Sequence, residues 1–194
     1  MLRTFKVTLT GKSPLFCGAY IAEPLKDRES HDDHEKRTWR DRANADTNGN
    51  MFIPAMGIKR CIEGAVNRAG DKIKGKGQRT WSKVFMSGMI VPANGPLIEA
   101  ATNKPFNKNT VAGTWVFVPS DGMRGGSKRV NKCFPTVLGW KSTFDLCVTD
   151  DAIPEDLLKK YIGDAGMFVG FGCNRIEKGG TGGFFVLESC KEVK

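Results

Sequence analysis

His31-Asp32-Asp33-His34 gathers two imidazoles and two carboxylates into four consecutive positions, and these are the only histidines in the chain. Such groups bind divalent ions and carry protons near neutral pH, so the cluster could serve metal-dependent or Asp/His-dependent cleavage of a phosphodiester. It stands in a polar stretch, and no motif places a second carboxylate cluster beside it. The expectation is therefore a solvated loop and a non-catalytic protein, with His31, Asp32, Asp33 and His34 as the candidates should the chain cut RNA.

Cations and glycines offer a different chemistry. Lys59 and Arg60 follow the segment FIPAMGI, Lys72, Lys74, Lys76 and Arg79 lie in or beside the glycine loop DKIKGKGQR, and Arg124, Lys128, Arg129 and Lys132 lie in and after DGMRGGS. Lysine and arginine neutralise backbone phosphates whatever the base sequence. Free N–H groups at the start of a helix, here expected at Ala55 to Ile58, do the same through the backbone. The stretch Gly166 to Phe185, GMFVGFGCNRIEKGGTGGFF, contains seven glycines. Gly170, Gly172, Gly179, Gly180 and Gly182 would let main chain lie against a phosphate or a neighbouring strand, with Arg175 and Lys178 reaching outward. No Gly-Lys-Ser/Thr follows and the stretch leads into a strand, so it is not a nucleoside-triphosphate loop. Trp81, Phe134 and Trp140 are candidate base-stacking platforms, although tryptophans on short strands are more often core.

Composition agrees with a polyanionic partner. In 194 residues, 30 Lys+Arg against 21 Asp+Glu give a net charge of +9, and the sequence pI is about 9.3. The charge is uneven: six bases face Asp71 alone between Arg68 and Lys83, and seven face Asp121 alone between Lys104 and Lys141. The N-terminal MLRTFKVTLTG alternates like a strand, and no run of eighteen apolar residues occurs, which argues against membrane and for the cytoplasm. The six cysteines, Cys17, Cys61, Cys133, Cys147, Cys173 and Cys190, form no C-x-x-C pair. Neither a zinc site, nor a disulfide framework, nor any cofactor is expected.

The elements that must position these groups follow from periodicity. Leu2 to Leu9 alternates as a half-buried strand. Residues from about 23 to 50 are charged and nearly free of aliphatics, which predicts an extended insertion unable to bury a core. Pro54 opens a helix in which Ile58, Cys61, Ile62, Ala65 and Val66 form one apolar stripe and which stops near Gly70. Trp81 to Val91 reads as a strand and Pro92 to Gly113 as loop. Thr114 to Val118 is a short strand, Asp121 to Ser127 a glycine turn, and Thr136 to Val148 a strand. Pro154 begins a helix carrying Leu157, Leu158, Tyr161, Ile162 and Ala165, and Phe184 to Leu187 closes the series. Without the insertions at about 23–50 and 92–135, the order is strand, helix, strand, strand, helix, strand. That order predicts one α+β domain over residues 1–194, ferredoxin-like or RRM-like, with a sheet face left open for binding.

Four patches, VTLTGKSPLFCG (Val7 to Gly18), FIPAMGIKRCIEGAV (Phe52 to Val66), the basic hairpin region and VGFGCNRIEKGGTGGFF, together resemble the RAMP superfamily, and within it the backbone subunits of CRISPR effector complexes. The resemblance implies sequence-independent binding of single-stranded RNA or DNA, in head-to-tail homo-oligomers or with other effector subunits, the charged insertion acting as a thumb. In some backbone subunits a loop aspartate after the first glycine turn cleaves RNA, and Asp32 or Asp33 lies in a similar region. The family's processing endonucleases use the glycine loop, so a RAMP-type endoribonuclease is the alternative. The chain is short for a backbone subunit, which suggests a free-standing phage or mobile-element relative that protects single strands, or binds or mimics an effector subunit in the manner of an anti-CRISPR protein. Where many members carry serines before the helix lysine, this chain has Met56-Gly57.

Overall fold

A computed structural model describes residues 2–120 and 128–193. The chain begins with β1 (Arg3–Gly11), in which Phe5, Val7 and Leu9 are buried, and turns at Ser13-Pro14 into the short β2 (Leu15–Phe16). Then come α1 (His31–Thr38), a 3-10 turn Trp39–Arg42, β3 (Phe52–Ile53), α2 (Ala55–Ala69) and α3 (Ser82–Gly88). Five short or medium strands follow: β4 (Met89–Ile90), β5 (Gly95–Pro96), β6 (Ile98–Glu99), β7 (Ala112–Pro119) and β8 (Arg129–Val137). The chain closes with β9 (Trp140–Val148), α4 (Glu155–Phe168), a 3-10 turn Ile176–Lys178 and β10 (Phe185–Val193).

The protein is α+β. Its main sheet has the order β10-β1-β9-β4, every neighbouring pair antiparallel, and β6 also pairs with β9. A second antiparallel sheet runs β2-β8-β7, and β3 pairs with β5. Helix α2 packs against α4, and α4 against β10. The expected stripe of α2 is buried throughout at Ile58, Cys61, Ile62, Ala65 and Val66, and α4 buries Leu158, Tyr161, Ile162 and Ala165. Full burial of an Ile- or Val-sized side chain contributes about 1.5–3 kcal/mol, so these stripes fix both helices on the sheet. Pro54 and Pro154 stand as N-caps just outside their helices, and Gly70 ends α2 at φ +62, the left-handed conformation that glycine adopts without strain.

The other face of the sheet is polar. Thr4, Lys6, Thr8 and Thr10 of β1 lie opposite Cys147, Asp145, Thr143 and Lys141 of β9. This face therefore offers no aromatic from its two central strands, and base stacking of the kind RRM-like modules use has no platform there.

Several expected boundaries shift for identifiable reasons. The segment Trp81 to Val91 is not a strand but α3 followed by two residues of β4, and Trp81, Val84 and Phe85 in fact recur at helical i, i+3, i+4 spacing. The expected strand Thr136 to Val148 is split by a turn at Leu138-Gly139, with Gly139 at φ +56, so its first two residues close β8 and the rest form β9. The loop-rich insertion at 92–135 contains β5, β6, β7 and most of β8. The last strand runs to Val193. The glycine turn Asp121 to Ser127, and Arg124 within it, lie outside the described residues.

The largest departure concerns residues 23–50. They form α1 and the 3-10 turn and bury Glu35, Thr38, Trp39 and Ala43. What replaces the missing aliphatics is a buried carboxylate. Glu35 Oε1 accepts from Arg42 Nε at 3.2 Å and from the Cys133 N–H at 2.9 Å, while Oε2 accepts from Arg42 Nη2 at 2.7 Å and Lys132 Nζ at 3.2 Å. Burial by itself pushes the Glu35 carboxyl up, but the Arg42, Cys133 and Lys132 donors outweigh it and hold the group below its ordinary value of 4.5. The segment before α1 is strapped on by Arg37, which pairs with Glu29 at 2.9 Å and with Glu23.

Because the folded-state carboxyl is depressed, its stabilising effect is complete above the ordinary carboxylate range and is lost as pH falls through the folded value. Glu35→Gln should therefore cost about 2–4 kcal/mol at neutral pH in denaturant unfolding, since the Arg42 and Lys132 charges lose their partner. The difference from wild type should shrink as the pH is lowered below about 4, where the wild-type carboxylate is itself protonated.

Candidate nucleic-acid interface

A cleft of about 330 Å³ opens where three segments meet. One wall is the turn Leu15–Gly18, the second is the start of α2 with Pro54, Gly57, Arg60 and Cys61, and the third is the glycine loop from Val169 to Gly172 with Arg175 and Glu177. Asn44, Phe52 and Ile53 complete the lining.

The glycine loop stands at this wall because its main chain touches other main chain. Gly172 has φ +84, and a Cβ there would run into the Phe16 carbonyl oxygen. The Cys173 N–H donates to that same oxygen at 3.0 Å, and the Gly183 N–H donates to Pro14 O at 2.7 Å. Gly182 lies on the Phe16 ring and Gly180 on Asn174. The glycines of the loop thus serve the protein's own β1–β2 connection, the neighbouring-strand version of the sequence expectation. A weak thiol contact from Cys61 Sγ to Gly170 O at 3.5 Å joins the loop to α2. Burial pushes the Cys61 thiol up, and Cys17, on the opposite wall, is pushed up to about 12 by burial and by the nearby Cys173. Both stay neutral thiols.

Helix α2 presents its N-terminus to the cleft. The Ala55 N–H is capped by Asn94 Oδ1 at 2.9 Å, and Ile58 N–H bonds Pro54 O at 3.0 Å. The N–H groups of Met56 and Gly57 have no hydrogen-bond partner among the described residues. Gly57 also leaves open space: a Cβ there would find only Pro54 atoms, at 3.9 Å. Gly57, with no side chain, leaves its backbone donor open to close approach, in the positive end of a 15-residue helix.

The expected cations divide into those with internal partners and those without. Arg60 is exposed, lines the cleft and has no hydrogen bond or ion pair among the described residues. Arg175 does not reach outward; it pairs with Glu177 at 2.8 Å and donates to Gly172 O at 3.3 Å, bracing the loop. Lys59 turns away to Met86 O at 2.9 Å, near Glu63, and Lys132 is held by Glu35. Lys178 is exposed. In the loop after α2, Lys72, Lys74, Lys76 and Arg79 are exposed, and the single acid, Asp71, is occupied by Lys160 at 2.5 Å and Tyr161 at 3.0 Å. That loop stands at the far end of α2, about 22 Å from the cleft at 1.5 Å per residue, so the two do not form one short track. Lys128 and Arg129 are exposed on the β7–β8 hairpin, with Arg129 Nη1 near Phe117 O at 3.4 Å.

The candidate aromatics are turned inward. Trp140 is fully buried with its Nε1–H donated to Ser13 O at 3.0 Å, so it is core and cannot stack on a base. Trp81 packs edge-on against Phe85, and Phe134 lies half-buried under Arg42. Among the described residues the exposed aromatics are elsewhere: Tyr20 at 89%, Phe117 at 57%, Trp115 at 51% and Phe168 at 38%. Asn44, a cleft residue with no signal in the sequence, is fixed by the Phe52 N–H, which donates to its carbonyl at 3.0 Å.

His31-Asp32-Asp33-His34 opens α1 instead of forming a loop. Ser30 caps the helix by accepting from the Asp33 N–H at 3.1 Å, and the Asp33 carboxylate, taken by Ser30 and Lys36, titrates below its ordinary value. His34 Nε2 lies 2.8 Å from Glu23 O, while His31 and Asp32 are exposed. Among the described residues, no three His, Cys, Asp or Glu side chains are grouped to hold a metal ion. Among them, too, no helix is long and apolar enough to cross a membrane. No protein-family model matches the chain, and no curated protein matches it.

Gly172→Ala should destabilise the protein by about 2–4 kcal/mol, from the left-handed φ together with the clash on Phe16 O. Native-state hydrogen exchange should show the Cys173 amide opening well below the global unfolding free energy in that variant.

Proposed function

We propose that the chain binds single-stranded nucleic acid without reading its sequence, and that the cleft at the α2 N-terminus holds a backbone phosphate. The observation that carries this reading is the meeting, in one cleft, of the Gly57 backbone, whose N–H has no hydrogen-bond partner among the described residues, with Arg60, which has none there either. Such a donor and such a guanidinium suit a phosphate oxygen. Since Glu177 neutralises Arg175, Arg60 supplies the net charge of the site.

The fold supports a RAMP-type assignment. With the smaller strands set aside, β1, α2, β4, β9, α4 and β10 follow one another as in a split βαβ pair, and the sheet order places the last strand beside the first, then the third and the second. We read this as a ferredoxin-like core in which the 23–50 and 92–135 segments are the additions. A cytoplasmic protein repeating head to tail along the strand fits the resemblance of its four sequence patches.

Binding of a labelled single strand, followed by fluorescence anisotropy across salt concentrations, tests the site. Arg60→Glu should weaken binding by at least about tenfold at low salt and lower the salt slope by about one phosphate. Gly57→Ala should raise stability by up to about 1 kcal/mol through helix propensity while weakening binding, because the added methyl shades the open N–H groups. Affinity unchanged in both variants, but lost on reversing Lys74, Lys76 and Arg79, would place the strand on the far loop and reject the cleft.

A further inference from the structure

We propose that one face of the β7–β8 hairpin is a base-stacking surface for single-stranded nucleic acid, with Trp115 and Phe117 as the platforms and Arg40 and Arg129 at its two ends. The inference rests on the single-strand reading above but concerns a second surface. In an antiparallel ladder, directly opposed residues share a face. Trp115 lies opposite Cys133, Phe117 opposite Asn131 and Pro119 opposite Arg129, so the two aromatics and Arg129 stand on the same side. At the hairpin's root that side is covered by Trp39, which lies 2.9 Å from the position a Gly113 Cβ would take. Arg40 is exposed and stacks over Trp39 at 4.2 Å. Beyond this root nothing among the described residues covers the rings, and Trp115 and Phe117 remain 51% and 57% exposed.

Two adjacent exposed rings are an apolar patch that solubility disfavours unless something covers it. Charge identifies the occupant. Neither β7 nor β8 contains an acidic residue, Lys128 and Arg129 are exposed, and Glu35, whose carboxylate packs on β8, is already paired. A second copy of this chain would bring its own excess of nine positive charges to a cationic surface. A polyanion whose bases have π-faces matches both the rings and the cations, as in single-strand binders that combine aromatic stacking with an electrostatic groove. In sequence, TWVFV shows a short strand but not which of its side chains face solvent.

The test uses the full chain with an oligothymidylate of about 20 nucleotides, longer than one module's site, and an abasic strand carrying the same number of phosphates. Wild type should bind the oligothymidylate about tenfold or more tightly than the abasic strand, with quenching of tryptophan emission, since Trp115 is more exposed than Trp39 or Trp140. The double variant Trp115→Ala/Phe117→Ala should lose the quenching and the preference while keeping the wild-type salt slope and thermal unfolding midpoint. Equal binding of the two strands by wild type, or wild-type affinity and quenching in the double variant, overturns the stacking surface and leaves the phosphate cleft standing. Failure of wild type to bind either strand overturns the single-strand reading and this surface together. Sedimentation showing that the double variant converts an oligomer to monomer, with oligothymidylate affinity unchanged, makes the hairpin an interface between copies and overturns the proposal.

Discussion

The structure depends on main chain lying directly against main chain where the glycine loop crosses the β1–β2 connection. Five backbone donors tie the two segments: Lys12 N–H to Phe184 O at 2.8 Å, Ser13 N–H to the same oxygen at 3.3 Å, Gly183 N–H to Pro14 O at 2.7 Å, Cys173 N–H to Phe16 O at 3.0 Å, and Phe184 N–H to Ser13 Oγ at 2.9 Å. Side chains at Gly172, Gly182 or Gly183 would separate the strands of this contact. The same approach delivers β10 to the free edge of β1 in register, and Gly166 lets α4 press onto Phe185 at the point where β10 begins. The outer strand of the sheet, the packing of α4 and one wall of the cleft thus share a single steric requirement. The loop looks built for a ligand in sequence, but most of its glycines are consumed by the protein itself, and what it offers outward is a shaped wall.

A second anchor works by charge instead of sterics. Residues 23–50 lack the aliphatic content to hold themselves down, and they are held by Glu35 in its nest of donors, by Arg37 strapping Glu23 and Glu29, and by Trp39 on the hairpin root. Burying one carboxylate with this many donors is tolerable where leaving it unpaired would not be. The arrangement makes α1 and the base of the β7–β8 hairpin one unit. It also explains why Lys132 contributes little to any outward field although it lies in the most basic part of the sequence.

What was legible in the sequence was what periodicity controls. The stripes of α2 and α4, the glycine that stops α2, the alternation of β1 and the α+β class all appear where the pattern places them. Residue type misled where it competed with spacing: Trp81, Val84 and Phe85 looked like a strand by composition while their intervals were helical. Polarity misled at 23–50, because an ion-pair anchor leaves no hydrophobic signature. The strand Thr136 to Val148 hid its turn, since Leu138-Gly139 is a weak turn signal until Gly139 is seen at positive φ. At the site, Arg60 and the α2 N-terminus were readable from FIPAMGIKR, whereas the fate of Lys59, Lys132 and Arg175 was not. Whether a cation faces solvent or a buried acid depends on contacts between segments 27 to 97 residues apart for Lys59 and Lys132, and on a local pairing for Arg175 that many sequences could make or miss.

Sorting cations by partner changes the meaning of the net charge. A formal +9 suggests a diffuse attraction, yet a lysine held by a carboxylate adds almost nothing at distances beyond a Debye length, about 8 Å at physiological salt. Among the described residues, the expected cations that face outward include Arg60 in the cleft, the Lys72–Arg79 loop at the other end of α2, and Lys128 with Arg129 on the hairpin. A phosphate can be captured at any of them, and loose capture at scattered points gives steering without registry. Registry needs at least one contact with shape. The cleft has that shape because the Gly57 backbone there is fixed by a helix and faces a wall of main chain, whereas the lysine loop offers exposed point charges. On the single-strand reading proposed above, a strand drawn in by the loop and hairpin charges is positioned by the cleft, a division of attraction and positioning that rests on which cations have internal partners.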